Sequence, residues 1–353
     1  MATIGPASDD AETLQSLAAA GMDVARVSLA HGPTSASIER IHRVREFAPG
    51  VAVLADLPGP KIRATPFPVG GVEISPGSEI LLAPGSVATT SDATRIGVGL
   101  DEAVADLGEG DRVAIGDGGV VLLVRGRKDG EVVTVAAGGG RLQGRPGVTV
   151  PSHRLSLETP TTEDLERIGV LVKEGVEMIA VSFVRGPDDM RRAREALNDY
   201  DAMLVSKIET PDAIANLEEV LRESDAVMVA RGDLGMRVHL EDVPHLQKLI
   251  IRTGVRLGLP VITATQMLES MIEAPLPTRA EVTDVANAVL DGTSAVMLSG
   301  ETAIGKDPVR VVETMARIVL RAEEDFNYVG WGRNLAPQEI AGPPRSPAHI
   351  TAA

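Results

Sequence analysis

The 353-residue chain has no cysteine. That excludes disulfides and zinc–thiolate sites and fits a reducing cytosol. Aromatic residues make up only 2% of it, so the core that a 44% hydrophobic content can build must be aliphatic. No apolar run approaches the roughly 18 residues that a membrane-spanning helix needs. The start, MATIGPASDD, has neither a basic segment nor a long apolar one, so no secretory signal is expected and the expected location is cytoplasmic. Lysine is scarce, six of 34 basic residues. Against 50 acidic residues these leave a net charge of −16, which argues against nucleic acid or an anionic membrane as partner. An anionic substrate would therefore need a local basic pocket.

What is present is a regular beat of short apolar, β-branched runs. They are ATIG (2–5), VARVSL (24–29), VAVLAD (51–56), MIAVSF (178–183), AMLVSKI (202–208), AVMVAR (226–231), PVITAT (260–265) and AVMLSG (295–300). Helical patterns lie between them. Thr210-Pro211 reads as an N-cap followed by a first-turn proline, and Thr278 with Glu281 as a capping box. Runs that are apolar on both faces suit a parallel sheet, and eight strand–helix units suit an α/β fold of the (β/α)8 TIM-barrel type. The beat breaks once. After Arg63 no helical pattern is read until residues 161–175, and the interval is rich in glycine and valine, which predicts a small β-barrel lid domain inserted after strand three. The expected organisation is a first barrel segment over 1–63, the inserted domain over 64–150, a second barrel segment over 151–325 and a tail over 326–353.

In such a barrel the functional end is the C-terminal end of the strands, and polar residues collect there. Strand two carries Arg26 and Ser28, followed by His31. Strand three ends in Asp56 and runs through Leu57 and a Pro-Gly-Pro turn to Lys61 and Arg63. Strand four offers Ser182. Strand five offers Lys207 and Glu209, two apart and so on one face. Strand six runs into Arg231, Gly232 and Asp233, strand seven into Thr265 and Gln266, strand eight into Ser299 and Glu301. Each could be an ordinary cap or turn residue; their convergence on seven of eight strand ends is the signal. Two carboxylates at adjacent strand ends, Glu209 and Asp233, suit a hard divalent cation such as Mg²⁺. With Lys207, Arg26 and Arg63 nearby, the set describes a site for a highly charged phosphorylated substrate.

These residues resemble one family, pyruvate kinase, over about residues 2–324. The resemblance rests on ATIGPAS (2–8), GMDVARVSLAHG (21–32), GPKIR (59–63), SKIET (206–210), MVARGDLG (228–235), ITATQMLESMI (262–272) and PTRAEVTDVANAVLDGTSAVMLSGETAIGKDP (277–308). It implies phosphoryl transfer from phosphoenolpyruvate to ADP. Glu209 and Asp233 would hold Mg²⁺ or Mn²⁺, Lys207 would stabilise the phosphoryl group in flight, and Arg26 would contact it. Backbone N–H groups around Arg231, Gly232 and Asp233, with Thr265, would bind the substrate carboxylate. Thr265 and Ser299 would belong to the proton relay. Arg63 and His31, with Arg26, would face the nucleotide, and Asp117 would sit in the lid.

Four departures from the family pattern stand out. The family's C-terminal domain, with its allosteric site, is expected to be missing. Strand one begins almost at Met1. Gly116 stands where a second lid aspartate is common. At the positions that bind potassium, Ser28, Ala30 and Leu57 replace the common Asn, Ser and Thr, and Lys61 replaces a common Glu, leaving Asp56 as the remnant of that site. The resemblance therefore implies an enzyme that does not require potassium, with the Lys61 ammonium supplying the charge. A homo-oligomer is compatible with the sequence. Two other readings stay open: a catalytically altered homologue with a binding or regulatory function, and a metal-dependent lyase or aldolase acting on a pyruvate enolate.

Overall fold

The computed structural model describes residues 1–60, 62–86, 88–116, 119–150 and 158–324. Lys61, Asp117 and the aromatic cluster Phe326, Tyr328 and Trp331 lie outside the described residues. The chain divides into two compact units. One comprises Met1–Gly59, Thr159–Leu234 and the residues from Glu241 on; the other comprises Pro60–Glu158 and Gly235–Leu240.

In the first unit all eight apolar runs form strands: Ala2–Thr3, Val24–Ser28, Ala52–Asp56, Met178–Val181, Met203–Ile208, Ala226–Ala230, Val261–Ala264 and Ala295–Met297. They pair in parallel in chain order. A parallel bridge between Ala2 and Leu298 joins the last strand region to the first, with Thr3 N–H donating to Leu298 O at 3.0 Å. The result is the expected eight-stranded barrel.

Alternation along each strand decides what fills it. Leu54, Ala180, Val205, Met228, Ile262, Ala264 and Met297 form one buried aliphatic cluster. Register places Ser28 level with Asp56, Asp56 level with Ala180 and Ala180 level with Val205. A further step of two keeps the same face. It leads from Ala180 to Ser182, from Val205 to Lys207 and from Met297 to Ser299. The face that is aliphatic inside the barrel thus becomes polar at the strand ends.

Helices begin where the sequence signals them. Thr210 caps Pro211–Ala215 by accepting the Ala213 N–H. Reciprocal capping boxes start Thr162–Lys173, from Thr161 and Asp164, and Arg279–Leu290, from Thr278 and Glu281. The Glu281 carboxylate also accepts the backbone N–H and the hydroxyl of Ser270, so the cap ties the helix to the loop after strand seven. Among the described residues no helix is long and apolar enough to cross a membrane.

The second unit is built on a six-stranded sheet in the order Val148–Thr149, Arg112–Ile115, Val120–Lys128, Glu131–Gly138, Glu79–Pro84, Arg95–Val98, with a separate pair Gly140–Leu142 and Val72–Ile74. Its edges are stitched by one segment. Arg63 bridges Gly147 beside one edge, and Ala64 bridges Val98 on the other, which curls the sheet around Ile80, Leu82, Ile96, Ile115 and Leu122. Arg63, read from the sequence as the end of the first barrel segment, therefore pairs inside this unit. The interval read as free of helix contains one, Asp101–Ala105; five residues are too few for helical periodicity to register in the sequence.

Because the Thr278 hydroxyl satisfies an otherwise orphaned N–H at the start of Arg279–Leu290, Thr278→Ala should cost about 1 kcal/mol. The expected readout is a lower denaturation midpoint with an unchanged urea dependence.

Candidate active site at the strand ends

The site is organised around Asp56. Its carboxylate is 2% exposed and receives two cations. Arg26, from strand two, donates through Nε at 2.8 Å and places its terminal nitrogen 2.7 Å from the same oxygen, Oδ2. Lys207, from strand five, donates from Nζ to Oδ1 at 3.2 Å. Ser182 fills the gap between them: its hydroxyl accepts from Lys207 at 2.6 Å and lies 3.3 Å from Asp56 Oδ1. The Lys207 ammonium also stands 3.7 Å from Glu209 Oε2. Arg26 is braced from behind, since it donates to Thr3 Oγ1 at 3.0 Å, and the Thr3 hydroxyl in turn donates to Leu298 O.

Burial alone would push the Asp56 carboxyl up, but Lys207 and Arg26 overcome this and hold it below its ordinary range. Burial likewise opposes the Lys207 charge, and Asp56 and Glu209 more than offset it, so the ammonium is held above its ordinary range. The attraction outweighs desolvation on both sides of the pair, which stays ionised.

Glu209 is wholly buried. Its Oε1 accepts the Phe183 N–H at 2.6 Å. Phe183 has φ 59°, a left-handed backbone that is uncommon for a bulky residue; it aims that N–H at the carboxylate. The Pro-Gly-Pro turn packs against the same point. Gly59 has φ +65°, and a Cβ there would lie 2.7 Å from the Phe183 ring and 3.1 Å from Ser182 Cβ. Only glycine lets the chain leave strand three past the end of strand four. Leu57 is buried, its N–H donating to Ala180 O. The Ser28 hydroxyl accepts the Ala30 N–H at 3.3 Å.

The strand-six to strand-eight side is held differently. The Arg231 guanidinium contacts Ala264 O at 3.1 Å, Thr265 O at 2.6 Å, and Asp284 at 2.7 and 2.9 Å. It clamps a loop in which Thr265 and Gln266 have φ 69° and 52°. Gly232 N–H donates to Thr265 Oγ1 at 2.8 Å. Glu301, wholly buried, accepts the Leu268 N–H at 3.1 Å and the Ser299 N–H at 2.6 Å. The buried Ser299 hydroxyl oxygen has no hydrogen-bond partner among the described residues. Asp233 lies in the first turn of the short helix Arg231–Gly235 and adds to the field that holds Lys207 charged.

Arg26, Ser28, Asp56, Lys207 and Glu209 thus belong to one connected set, and Gly232 and Thr265 to another. His31 is exposed on the barrel unit. Arg63 belongs to the second unit and donates to Arg145 O at 3.3 Å. Sequence reasoning left Thr3, the Phe183 N–H and Asp284 unassigned, and named Ser182 without a function. Thr3 and Ser182 carried a weak signal as hydroxyls at strand ends. A backbone N–H carries none.

No group of three or more His, Asp or Glu side chains placed to hold a metal occurs among the described residues. The donor chemistry nonetheless fits a hard divalent ion. Glu209 and Asp233 offer two carboxylates, and Mg²⁺ commonly takes one or two, completing its shell with water and substrate oxygens.

A family model described as "Pyruvate kinase, barrel domain" matches residues 1–312. Similar proteins include a pyruvate kinase of Geobacillus stearothermophilus, 42% identical over 335 residues that cover 92% of this chain and 57% of the relative. A pyruvate kinase of Thermococcus litoralis is 40% identical over 339 residues, covering 94% of this chain and 71% of the relative. One of Mycobacterium tuberculosis is 41% identical over 330 residues, covering 92% and 69%. The chain spans little more than half the length of the first of these.

The paired charges predict a pH profile. Asp56, held below its ordinary 3.8, contributes stability that is present above about pH 4 and is lost as pH falls through its folded value. Lys207, held above its ordinary 10.5, contributes stability that is complete below about pH 10 and is lost as pH rises through its folded value. Asp56→Asn should lower stability at pH 7 and flatten the acid side of the profile. An acid limb as steep as that of the unmodified protein would show that Asp56 does not carry it.

Proposed function

Because the chain belongs to the pyruvate kinase family, we propose that it transfers the phosphoryl group of phosphoenolpyruvate to ADP, giving pyruvate and ATP. The observation that carries this is the buried Lys207 ammonium, kept charged between Asp56, Ser182 and Glu209 at the barrel mouth. Members of the family generally use a divalent metal. In this chain Glu209 and Asp233 would hold Mg²⁺ or Mn²⁺, which would neutralise phosphate charge when bound.

The chain's own residues do the rest by positioning. Phosphoryl transfer asks chiefly for alignment and charge neutralisation. Lys207 donates to Ser182 and Asp56 and stands 3.7 Å from Glu209; on this reading its charge faces the transferring phosphoryl group. Arg26, fixed by Asp56 and Thr3, offers its remaining guanidinium edge to the same group. As the bond between phosphorus and the enol oxygen breaks and one to an ADP phosphate oxygen forms, these cations stand where negative charge is redistributed. The enolate left behind takes a proton at carbon three. Thr265 and Ser299 are the hydroxyls proposed to relay it, and the unengaged Ser299 hydroxyl is suited to accept and pass on a hydrogen bond. Backbone N–H groups at Arg231, Gly232 and Asp233, with Thr265, would receive the substrate carboxylate. The proposed nucleotide contacts on the barrel are Arg26 and His31.

Potassium is not required on this reading. Ala30 and Leu57 have no side-chain oxygen, and both oxygens of Asp56 already face cations. Lys61 is proposed to supply the charge that a potassium ion provides elsewhere in the family.

The direct test is pyruvate formation from phosphoenolpyruvate and ADP with Mg²⁺. Lys207→Ala should lower kcat 10²-fold or more, since groups acting on transition-state charge typically contribute that much, with a smaller change in KM for phosphoenolpyruvate. Retention of more than about a tenth of the activity would remove Lys207 from this position. Absence of turnover in the unmodified protein would favour the binding or regulatory homologue.

Adding potassium to a sodium- and potassium-free assay should change turnover less than about twofold, well below the 1.4 kcal/mol of a tenfold effect. Lys61→Glu should lower activity sharply, and potassium should not restore it fully. Strong activation of the unmodified protein by potassium would show that Lys61 is not the substitute cation.

A further inference from the structure

Strand one is two residues long, Ala2–Thr3, and its pairing with strand two sets Thr3 level with Arg26. Thr3 is buried and all its polar atoms are engaged. Its N–H donates to Leu298 O at 3.0 Å, and its carbonyl accepts the Thr302 hydroxyl at 2.9 Å. The hydroxyl has one hydrogen to give. An arginine can only donate, so the 3.0 Å contact from Arg26 Nη1 takes a lone pair of the Thr3 oxygen. The hydrogen therefore goes to Leu298 O, at 2.8 Å. Both bonds of the hydroxyl have a fixed direction, from Arg26 to Thr3 and from Thr3 to Leu298.

Asp56 by itself does not orient Arg26. The Nε and Nη2 nitrogens both reach the same oxygen, Oδ2, at 2.8 and 2.7 Å, while Oδ1 accepts from Lys207. A single oxygen is a pivot about which a guanidinium plane can turn. A contact at the third nitrogen, Nη1, stops that turning, and Thr3 supplies it. Thr3 in turn is tied to Leu298, the residue before Ser299. We propose that Thr3 is a positioning residue: its hydroxyl fixes the plane of the Arg26 guanidinium and registers that cation against the end of strand eight. The consequence for turnover rests on the reading of Arg26 as a phosphoryl contact; the fixing of the plane does not.

The competing account is that the hydroxyl only helps to close the ring. Closure, however, already has the Thr3 N–H on the Leu298 carbonyl, and that bond stays when the hydroxyl is removed. No carbonyl is orphaned. What is left without a partner is the Nη1 side of a mostly buried cation, and hydrogen bonds to charged groups are the stronger class. Thr3→Val is the matching probe, because it keeps the β-branch that suits a strand and deletes only the hydrogen-bonding group.

Nitrogen-15 NMR of the Arg26 side chain in the full chain, assigned by its loss in Arg26→Lys, reads the orientation without any substrate. The Nη1 and Nη2 signals should be separate in the unmodified protein, because rotation about the Nε–Cζ bond is blocked. In Thr3→Val they should merge, with rotation faster by about tenfold or more, the equivalent of one hydrogen bond to a charged group. Thr3→Ser should keep them apart. With phosphoenolpyruvate and ADP, Thr3→Val should lower kcat by a similar factor of about ten or more, with a smaller change in KM for phosphoenolpyruvate. Thr3→Ser should return it to within about twofold of the unmodified protein. A hydroxyl that acts through Arg26 has nothing left to position in Arg26→Ala, so adding Thr3→Val to that variant should cost no further activity, whereas a purely structural loss would add. Should Arg26→Ala fail to fold, the NMR comparison still decides. Three outcomes would overturn the proposal: separate Nη signals in Thr3→Val, a loss from Thr3→Val that persists in full in the Arg26→Ala background, or a Thr3→Ser variant that behaves as Thr3→Val does. Absence of turnover in the unmodified protein would instead remove the proposed reaction, and the NMR signals alone would then judge Thr3.

Discussion

The Asp56 carboxylate is the constraint on which the barrel mouth depends. It is buried, and a buried charge without a partner is expensive enough that a protein ordinarily neutralises it. Here two cations, Arg26 and Lys207, are brought to it from strands two and five. Those cations are themselves mostly buried, so the requirement runs both ways. Asp56 is the member both cations share, so its loss would break two pairs at once, and breaking a buried pair by removing one partner typically costs 3–5 kcal/mol. An aliphatic cluster in the same place would stabilise the barrel at least as well; what the charges provide is a fixed cation beside two carboxylates.

From this follows the arrangement around it. Ser182 separates the Lys207 ammonium from Asp56 by offering a shorter contact, 2.6 Å against 3.2 Å, so the cation is not drawn wholly onto one acid. Glu209 is kept from collapsing onto Lys207 by the Phe183 N–H, which takes its other oxygen. The left-handed backbone at Phe183 is the conformational cost of that orientation. The opposite side of the mouth solves a different problem. The loop after strand seven has two consecutive non-glycine residues in the left-handed region, a conformation that persists only when its surroundings over-determine it. Arg231 holds its carbonyls, and Glu301 takes N–H groups from this loop and from Ser299. One side of the mouth is set by charge, the other by backbone hydrogen bonds.

What could be read in the sequence was what is local. Eight β-branched runs became eight strands because strand preference and burial on both faces are written into each run. Thr210 and Thr278 cap their helices because capping needs only residues three apart. The functional end was legible because a period of two carries an aliphatic face into Ser182, Lys207 and Ser299. What could not be read was partnership. Lys207 and Asp56 are 151 residues apart, and only the pairing of strand four with both strand three and strand five places them on either side of Ser182. The Arg231 guanidinium is directed to the strand-seven loop and to Asp284, an acid on the next helix that no local pattern distinguishes. The small helix Asp101–Ala105 escaped because a single turn has no period to detect.

The scarcity of lysine now has a physical counterpart. Where the fold must gather several carbonyl oxygens, it uses arginine. Arg45 reaches the carbonyls of Glu174 and Gly175, Arg127 those of Val104, Ala105 and Leu107, and Arg231 those of Ala264 and Thr265. A planar fork with five donors suits such clusters and is only weakly hydrated, so it can be buried at modest cost. At the centre of the candidate site the demand is the reverse: a compact charge that fits between a serine and two carboxylates. Lysine meets it, because its ammonium is a point on a flexible stem rather than a plate. Lys207 is accordingly the one lysine among the described residues that is buried. An arginine in its place would keep the charge but would need room for a plane where Ser182 stands 2.6 Å away, and it would spread over several atoms the positive charge that a transferring phosphoryl group needs at one.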